Sequence, residues 1–176
     1  CDNNSNDRTA AIAEAAGARV VFEAENQISR SRNAAGNAAR GDWIIFLDAD
    51  STPCEGLFAA TADLMETEST LGGGVVIRME SMPWWAAIGL GIWNLISRVF
   101  RWPAGSYIFC RAEAFRELEG FSPKLYAAEE IEFDHRLKRL ARQRQQRIHI
   151  IRRPPLLSSN HRMVMYSPFR LLWFML

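Results

Sequence analysis

Cysteine is scarce in this chain, and the three it has, Cys1, Cys54 and Cys110, stand far apart with no C-x-x-C pair. That spacing argues against a disulfide framework and a zinc site. It points to a reducing compartment, so the expectation is a cytoplasmic protein. No signal peptide opens the sequence and no methionine starts it, so it reads as a fragment of a longer protein. Internal repeats and low-complexity segments are absent. An excess of one charge is lacking too: 21 Lys and Arg stand against 20 Asp and Glu. The molecule as a whole therefore makes no electrostatic case for nucleic acid. The apolar stretch from Met82 to Trp93 falls short of the roughly 20 residues that a bilayer span takes.

What is present suffices for one domain with a real core: 176 residues, of which 48% are hydrophobic and 23% charged. The chain is organised around Gly41 to Ser51. Trp43-Ile44-Ile45-Phe46-Leu47 is too short for a helix and rich in aromatic and β-branched residues, so it reads as a central strand buried on both faces. Asp48 and Asp50 follow at its carboxyl end, where open α/β sheets bind ligands. Two acids held close repel unless a positive group lies between them, and a divalent cation carrying a diphosphate suits their oxygens.

Upstream, a polar turn over residues 2–9 leads into an alanine-rich helix from about Thr9 to Ala16, with Gly17 suited to its C-terminal cap. Arg19 to Phe22 reads as a short strand and Ser29 to Arg40 as a second helix ended by Gly41. Downstream, Thr52-Pro53-Cys54-Glu55 reads as a capped helix start. Leu57, Phe58, Thr61, Leu64 and Met65 then make one mostly apolar face. Gly72 to Gly74 reads as the lead-in to a strand from Val75 to Met79. The alternation implies a mostly parallel sheet flanked by helices.

From Met82 the chain turns apolar, and Asn94 to Arg101 is amphipathic. Two readings stand: a helix packed on the sheet, or an interfacial segment whose tryptophans and arginines meet lipid or a lipid-linked acceptor. Gly105 to Arg111 reads as a strand and Ala112 to Leu118 as a short helix closed by Gly120. A further helix begins at the acidic cluster Glu129 to Asp134 and runs to about Gln146. Ile148 and Ile150 suggest an edge strand ended by Pro154-Pro155. Between His135 and Arg153 there are eight Lys or Arg and no acid. A solvated helix face accounts for them, with an anionic membrane or phosphate-bearing lipid as the second reading. Nucleic acid is disfavoured, since no aromatics interleave the charges.

Four motifs stand in order: Asp2-Asn3-Asn4-Ser5-Asn6-Asp7-Arg8-Thr9, Ser29-Arg30-Ser31-Arg32-Asn33-Ala34-Ala35-Gly36, Phe46-Leu47-Asp48-Ala49-Asp50, and Glu129-Glu130-Ile131-Glu132-Phe133-Asp134-His135-Arg136-Leu137. Together they resemble the family-2 glycosyltransferases, inverting enzymes of the GT-A fold with nucleotide-sugar donors. The resemblance covers Asp2 to about Arg162. It implies a partial glycosyltransferase domain over 1–162, lacking the family's first strand, helix and strand. An apolar tail over 163–176 follows, which fits the start of a cut membrane-associated segment.

The resemblance assigns roles. Asp2 would accept hydrogen bonds from ribose or base; a solvated turn acid is the plain alternative. Arg32 would offset diphosphate charge, and Asn33 would bond the base or brace the loop. Asp48 would contact ribose or metal and Asp50 the metal, Mn²⁺ or Mg²⁺. Glu130 takes the place of the catalytic base, as glutamate where the family usually has aspartate. Glu129, Glu132 and Asp134 are its competitors, each also readable as a helix N-terminal acid favoured by the dipole. His161 would be a third metal ligand, and Arg162 could instead reach the diphosphate. The implied activity is inverting sugar transfer to a hydroxyl, with the protein at the cytoplasmic face of a membrane if the acceptor is lipid-linked. A nucleotidyltransferase is the rival enzyme, although the Gly-rich, Arg/Lys-bearing loop typical of that class is absent here. A non-catalytic binding module is the rival from another class, and intact Asp48, Asp50 and Glu130 argue against it.

Overall fold

The computed structural model describes residues 1–79, 83–103 and 105–158. Helices α1 (Thr9–Ala15) and α2 (Ile28–Ala38) precede strands β1 (Trp43–Leu47) and β2 (Ser51–Thr52). Helix α3 (Glu55–Met65), strand β3 (Thr70–Met79), helix α4 (Trp84–Phe100), strand β4 (Tyr107–Arg111), helices α5 (Ala112–Glu117) and α6 (Glu129–Gln143), and strand β5 (Arg147–Ser158) follow. The strands form one sheet in the order β1-β4-β3-β5-β2, with β2 antiparallel to β5. The expected α/β architecture is present. His161 and the tail 163–176 lie outside the described residues.

Strand β1 lies at one edge of that order, not at its centre. Ile44 and Phe46 are buried, whereas Ile45 and Leu47 are 36% and 39% exposed. The reading of two buried faces is therefore corrected. An unbroken apolar run makes both faces apolar but does not say whether both are covered.

The glycine triplet is likewise not a lead-in. It lies inside β3, because neighbouring backbone passes too close for side chains. A Cβ at Gly72 would stand 2.6 Å from the Phe109 carbonyl, and one at Gly74 2.6 Å from Cβ of Pro103. Such contacts need glycine whatever the strand propensity.

Three boundaries also move. Thr52 belongs to β2 and pairs with Leu157, so α3 starts at Glu55 with no side-chain cap. Strand β5 runs through Pro154 and Pro155 to Ser158. Because β2 meets it only at Leu157 and Ser158, nothing on that side requires the N–H groups that the prolines lack. Among the described residues the segment Arg19 to Phe22 makes a single parallel bridge, Asp2 to Phe22. Helix α1 behaves as expected: the Asp7 carboxylate accepts from the Thr9 N–H at 2.8 Å, and Gly17 takes φ +86° just beyond the helix.

The described chain divides into two units. One holds Cys1–Phe46, Glu68–Gly72 and Phe109–Ile148. Its core is aromatic, with Phe46, Phe115, Phe121 and Phe133 at centroid separations of 4.4 to 6.2 Å. The other holds Leu47–Thr67, Gly73–Ile108 and the residues from His149. There Tyr107, Leu57, Val75 and Leu156 are fully enclosed. The Thr61 hydroxyl donates to the Leu57 carbonyl at 2.8 Å, so the Tyr107 hydroxyl, 2.8 Å away, donates to Thr61. This satisfies a phenol that burial would otherwise strand.

Candidate active site

In the first unit the amino-terminal segment is pinned as extended chain. The Asp2 N–H donates to the Val21 carbonyl at 2.8 Å, and the Glu23 N–H donates to the Asp2 carbonyl at 2.9 Å. Asn3 Nδ2 donates to the Glu23 and Glu25 carbonyls at 3.1 and 2.6 Å. The Asp2 side chain is thereby held in a buried position, and its Oδ1 has no hydrogen-bond partner among the described residues. A buried carboxylate oxygen without a donor is costly, and a ligand hydroxyl or N–H is the group that would satisfy it.

Helix α2 delivers Arg32 and Asn33. Arg32 Nη1 lies 2.9 Å from Glu129 Oε1, the two side chains being 11% and 4% exposed, and its guanidinium sits 5.4 Å from the centre of the Phe121 ring. The Asn33 amide brackets Phe121, donating to its carbonyl and accepting its N–H, each at 2.8 Å. Of the two roles expected for Asn33, bracing the loop is the one seen. The turn it braces holds Gly120 at φ +69°, with no room for a Cβ beside Asn33 Oδ1.

Helix α6 opens with four acids in six residues, and their surroundings separate them. Glu129 is paired with Arg32 and Glu132 with Arg136 at 2.6 Å; Asp134 is buried in an ion pair with Lys138. Glu130 has no ion-pair partner among the described residues, and it is half-buried. Burial pushes its carboxyl above the ordinary glutamate range. The charge of Glu129 and a hydrogen bond with it push the same way, against its own backbone N–H and the charge of Arg32. A half-buried, proton-avid carboxylate at a helix start is suited to general-base work. Three cations of the basic run that follows are engaged at home: Arg136 with Glu132, Lys138 with Asp134, and Arg144 with Glu113 and Glu117 at 2.6 and 2.5 Å.

In the second unit the chain turns sharply after β1. The Asp48 N–H donates to the Ser106 carbonyl at 3.2 Å, and the Ser51 N–H donates to the Asp48 carbonyl at 3.1 Å. That turn leaves Asp48 half-buried and Asp50 exposed, just before Ser51 pairs with Ser158. No group of three metal-ligating side chains occurs among the described residues. Two hard carboxylates nonetheless fit Mg²⁺ or Mn²⁺, which commonly take one or two carboxylates and complete their shell with phosphate and water.

Residues 1–121 match the Glycosyl transferase family 2 model. The chain belongs to that family. Its fold is similar to that of glucosyl-3-phosphoglycerate synthase from Mycobacterium tuberculosis. One structure of that enzyme, with Mn²⁺, uridine diphosphate and glucosyl-3-phosphoglycerate, superposes at a TM-score of 0.63 with 20% identity, over 97% of this chain and 61% of that one. Another, with Mn²⁺, UDP-glucose and glycerol 3-phosphate, gives 0.57 with 21% identity, over 86% and 56%. A further mycobacterial protein gives 0.59 with 19% identity, over 90% and 53%. The chain thus spans between about half and three fifths of the length of these structures. Fifty residues are 50% identical to a TPR repeat-containing protein of Synechococcus elongatus, covering 28% of this chain and 12% of that protein.

This family-2 chain holds two features that sequence reading missed. The Arg32–Glu129 pair joins residues 97 apart, and no local pattern announces it. The buried Asp134–Lys138 pair was visible only as an acid four residues before a lysine, a spacing usual on exposed helices too.

Proposed function

We propose that the protein of which this chain is part transfers a sugar from a nucleoside-diphosphate donor to an acceptor hydroxyl, inverting the anomeric centre. The observation that carries this is the family match combined with Glu130, the one acid of the α6 cluster with no ion-pair partner among the described residues. Glu130 takes the proton of the acceptor hydroxyl as that oxygen bonds to the anomeric carbon. The bond from that carbon to the diphosphate oxygen breaks on the opposite side, and its electron pair leaves with the nucleoside diphosphate. Glutamate in place of the family's usual aspartate extends the base by one methylene.

Asp2 accepts a hydrogen bond from the ribose or base of the donor. Arg32 holds Glu129, so Glu129 is not the base but a neighbour that keeps Glu130 avid for protons. Asp48 and Asp50 would hold Mn²⁺ or Mg²⁺, whose charge would offset that building on the leaving diphosphate. Glucosyl-3-phosphoglycerate synthase, solved with these ions and with uridine nucleotides, supports that choice by likeness of fold.

The test is a panel of nucleotide sugars offered to the full-length protein with acceptor hydroxyls, the product anomer being read by proton NMR. A product of inverted configuration is expected. Retention would remove the single-displacement scheme. Binding without turnover of any donor would favour a non-catalytic module, and nucleotidyl transfer would favour the rival enzyme class.

A further inference from the structure

Helix α4 carries an apolar face that nothing in the described structure covers. Taken at about 100° per residue, Trp84, Ile88, Ile92, Leu95 and Val99 fall within an arc of about 80°, and Ala86 and Ser97 lie opposite. Exposure follows this division along most of the helix, with Phe100 in the last turn 59% exposed outside the arc. The five large residues are 54% to 77% exposed, while Ala86 and Ser97 are buried. The helix is held in this orientation by Asn94, whose amide brackets Ile77 of β3, donating to its carbonyl at 2.8 Å and accepting its N–H at 3.1 Å. At the far end the Ser97 hydroxyl donates to the Trp102 carbonyl at 2.5 Å. The face is therefore built, not a consequence of a loose helix.

The charges say what would cover it. Between residues 83 and 112 there is no acid, whereas Arg98 and Arg101 are exposed at the helix end. Arg98 falls beside the apolar arc, about 40° from its edge at 100° per residue, and Arg101 follows the last helical residue, Phe100, in the left-handed conformation. Tryptophans mark both ends, Trp84 exposed and Trp102 half-buried. An apolar stripe ending in arginines, with tryptophan at its margins, matches the headgroup boundary of an anionic bilayer. At 17 residues α4 is about 26 Å long and is shorter than a hydrocarbon core. No helix among the described residues is long and apolar enough to cross a membrane.

We propose that the outward face of α4 docks in the plane of an anionic lipid surface, with Trp84, Ile88, Ile92, Leu95 and Val99 in the acyl boundary and Arg98 and Arg101 at the headgroups. Lipid contact of this kind is separate from sugar transfer and does not depend on it.

The experiment offers full-length protein vesicles of phosphatidylcholine alone or with phosphatidylglycerol, and reads flotation and tryptophan emission. Flotation with the anionic vesicles and a blue shift are expected, both weakening with salt. Ile92→Glu with Val99→Glu should abolish them. Arg98→Gln with Arg101→Gln, confined to exposed side chains, should lower partition into anionic vesicles about 25-fold, at about 5-fold per arginine, and leave the neutral vesicles unchanged. Folding of each variant is checked by circular dichroism, and the arginine pair decides if the glutamate pair does not fold. The proposal is overturned if folded protein floats with neither vesicle, or if the arginine pair binds anionic vesicles as wild type does. It is also overturned if sedimentation reveals a dimer that the glutamate pair dissolves, which would give the face to a second copy.

Discussion

Gly36→Ala should destabilise the protein although it places the best helix former in the last turn of a helix. In an open helix the change gains about 1 kcal/mol. Here a Cβ would stand 2.5 Å from Cζ of Phe115 and 2.7 Å from Cε1. That ring is fully buried and cannot step aside, because Phe46, Phe121 and Phe133 surround it at 5.4, 6.2 and 6.1 Å. Overpacking of this kind costs about 1–3 kcal/mol, and so close a contact with a trapped ring belongs at the upper end. The steric term wins, leaving a net loss of about 2 kcal/mol, or a fall in Tm of about 4–8 °C for a protein of this size.

Gly91→Ala is the control, since a Cβ there meets nothing within 4 Å. The same substitution should then gain about 1 kcal/mol from propensity alone. Thermal denaturation of both variants and of Gly36→Ala with Phe115→Leu forms a double-mutant cycle. The smaller Leu should make room, so the pair should lose less than the sum of the single changes. Equal Tm shifts for Gly36→Ala and Gly91→Ala, or strict additivity with Phe115→Leu, would refute the packing argument.

Two further predictions follow from the charged groups. Burial, opposed by Lys138, raises Asp134 to about 6 from an ordinary 3.8. A raised folded-state value favours the fold fully below about pH 4 and loses that contribution as pH rises towards 6, on the order of 3 kcal/mol in all. Asp134→Asn should therefore flatten the slope of Tm against pH in that window, and an unchanged slope would count against the assignment. Calorimetry of uridine diphosphate binding to full-length protein, with Mn²⁺ and with a chelator, should show affinity that needs the ion. Asp50→Ala should lose more of it than Asp48→Ala, and equal affinity in chelator would end the metal role.

Much of the fold was legible from local pattern. The positions of α1 and α5 followed from composition and closing glycines, and the start of α6 from its acidic cluster, because those signals act within a turn. What was lost depended on neighbours distant in sequence. Five apolar residues at β1 say that both faces are greasy, yet only the sheet order reveals that the strand lies at an edge. Gly72 and Gly74 read as the lead-in to a strand until Phe109 and Pro103 are seen against them. Thr52 has every mark of a helix cap but is claimed by Leu157, 105 residues later in the chain. The candidate site divides the same way. Asp48 and Asp50 stood out as candidates because a strand end and two acids are local. The engagement of Arg32 with Glu129 was not, and it is what separates Glu130 from its neighbour.

The central claim is that Glu130 is the base and Glu129 its paired neighbour, and the pH dependence of turnover in Glu130→Gln and Glu129→Gln tests it most directly. Wild-type kcat/KM should rise with pH through a value above the ordinary glutamate range, since the base works deprotonated and burial raises it. Glu130→Gln should abolish that limb and lower kcat by roughly 10²–10⁴, with donor affinity within a few-fold. Glu129→Gln should keep most of the turnover and move the limb to lower pH, because the charge and hydrogen bond that raise Glu130 are gone. A Glu130→Gln enzyme with near wild-type kcat beside a dead Glu129→Gln enzyme would contradict the account and shift the base one residue back.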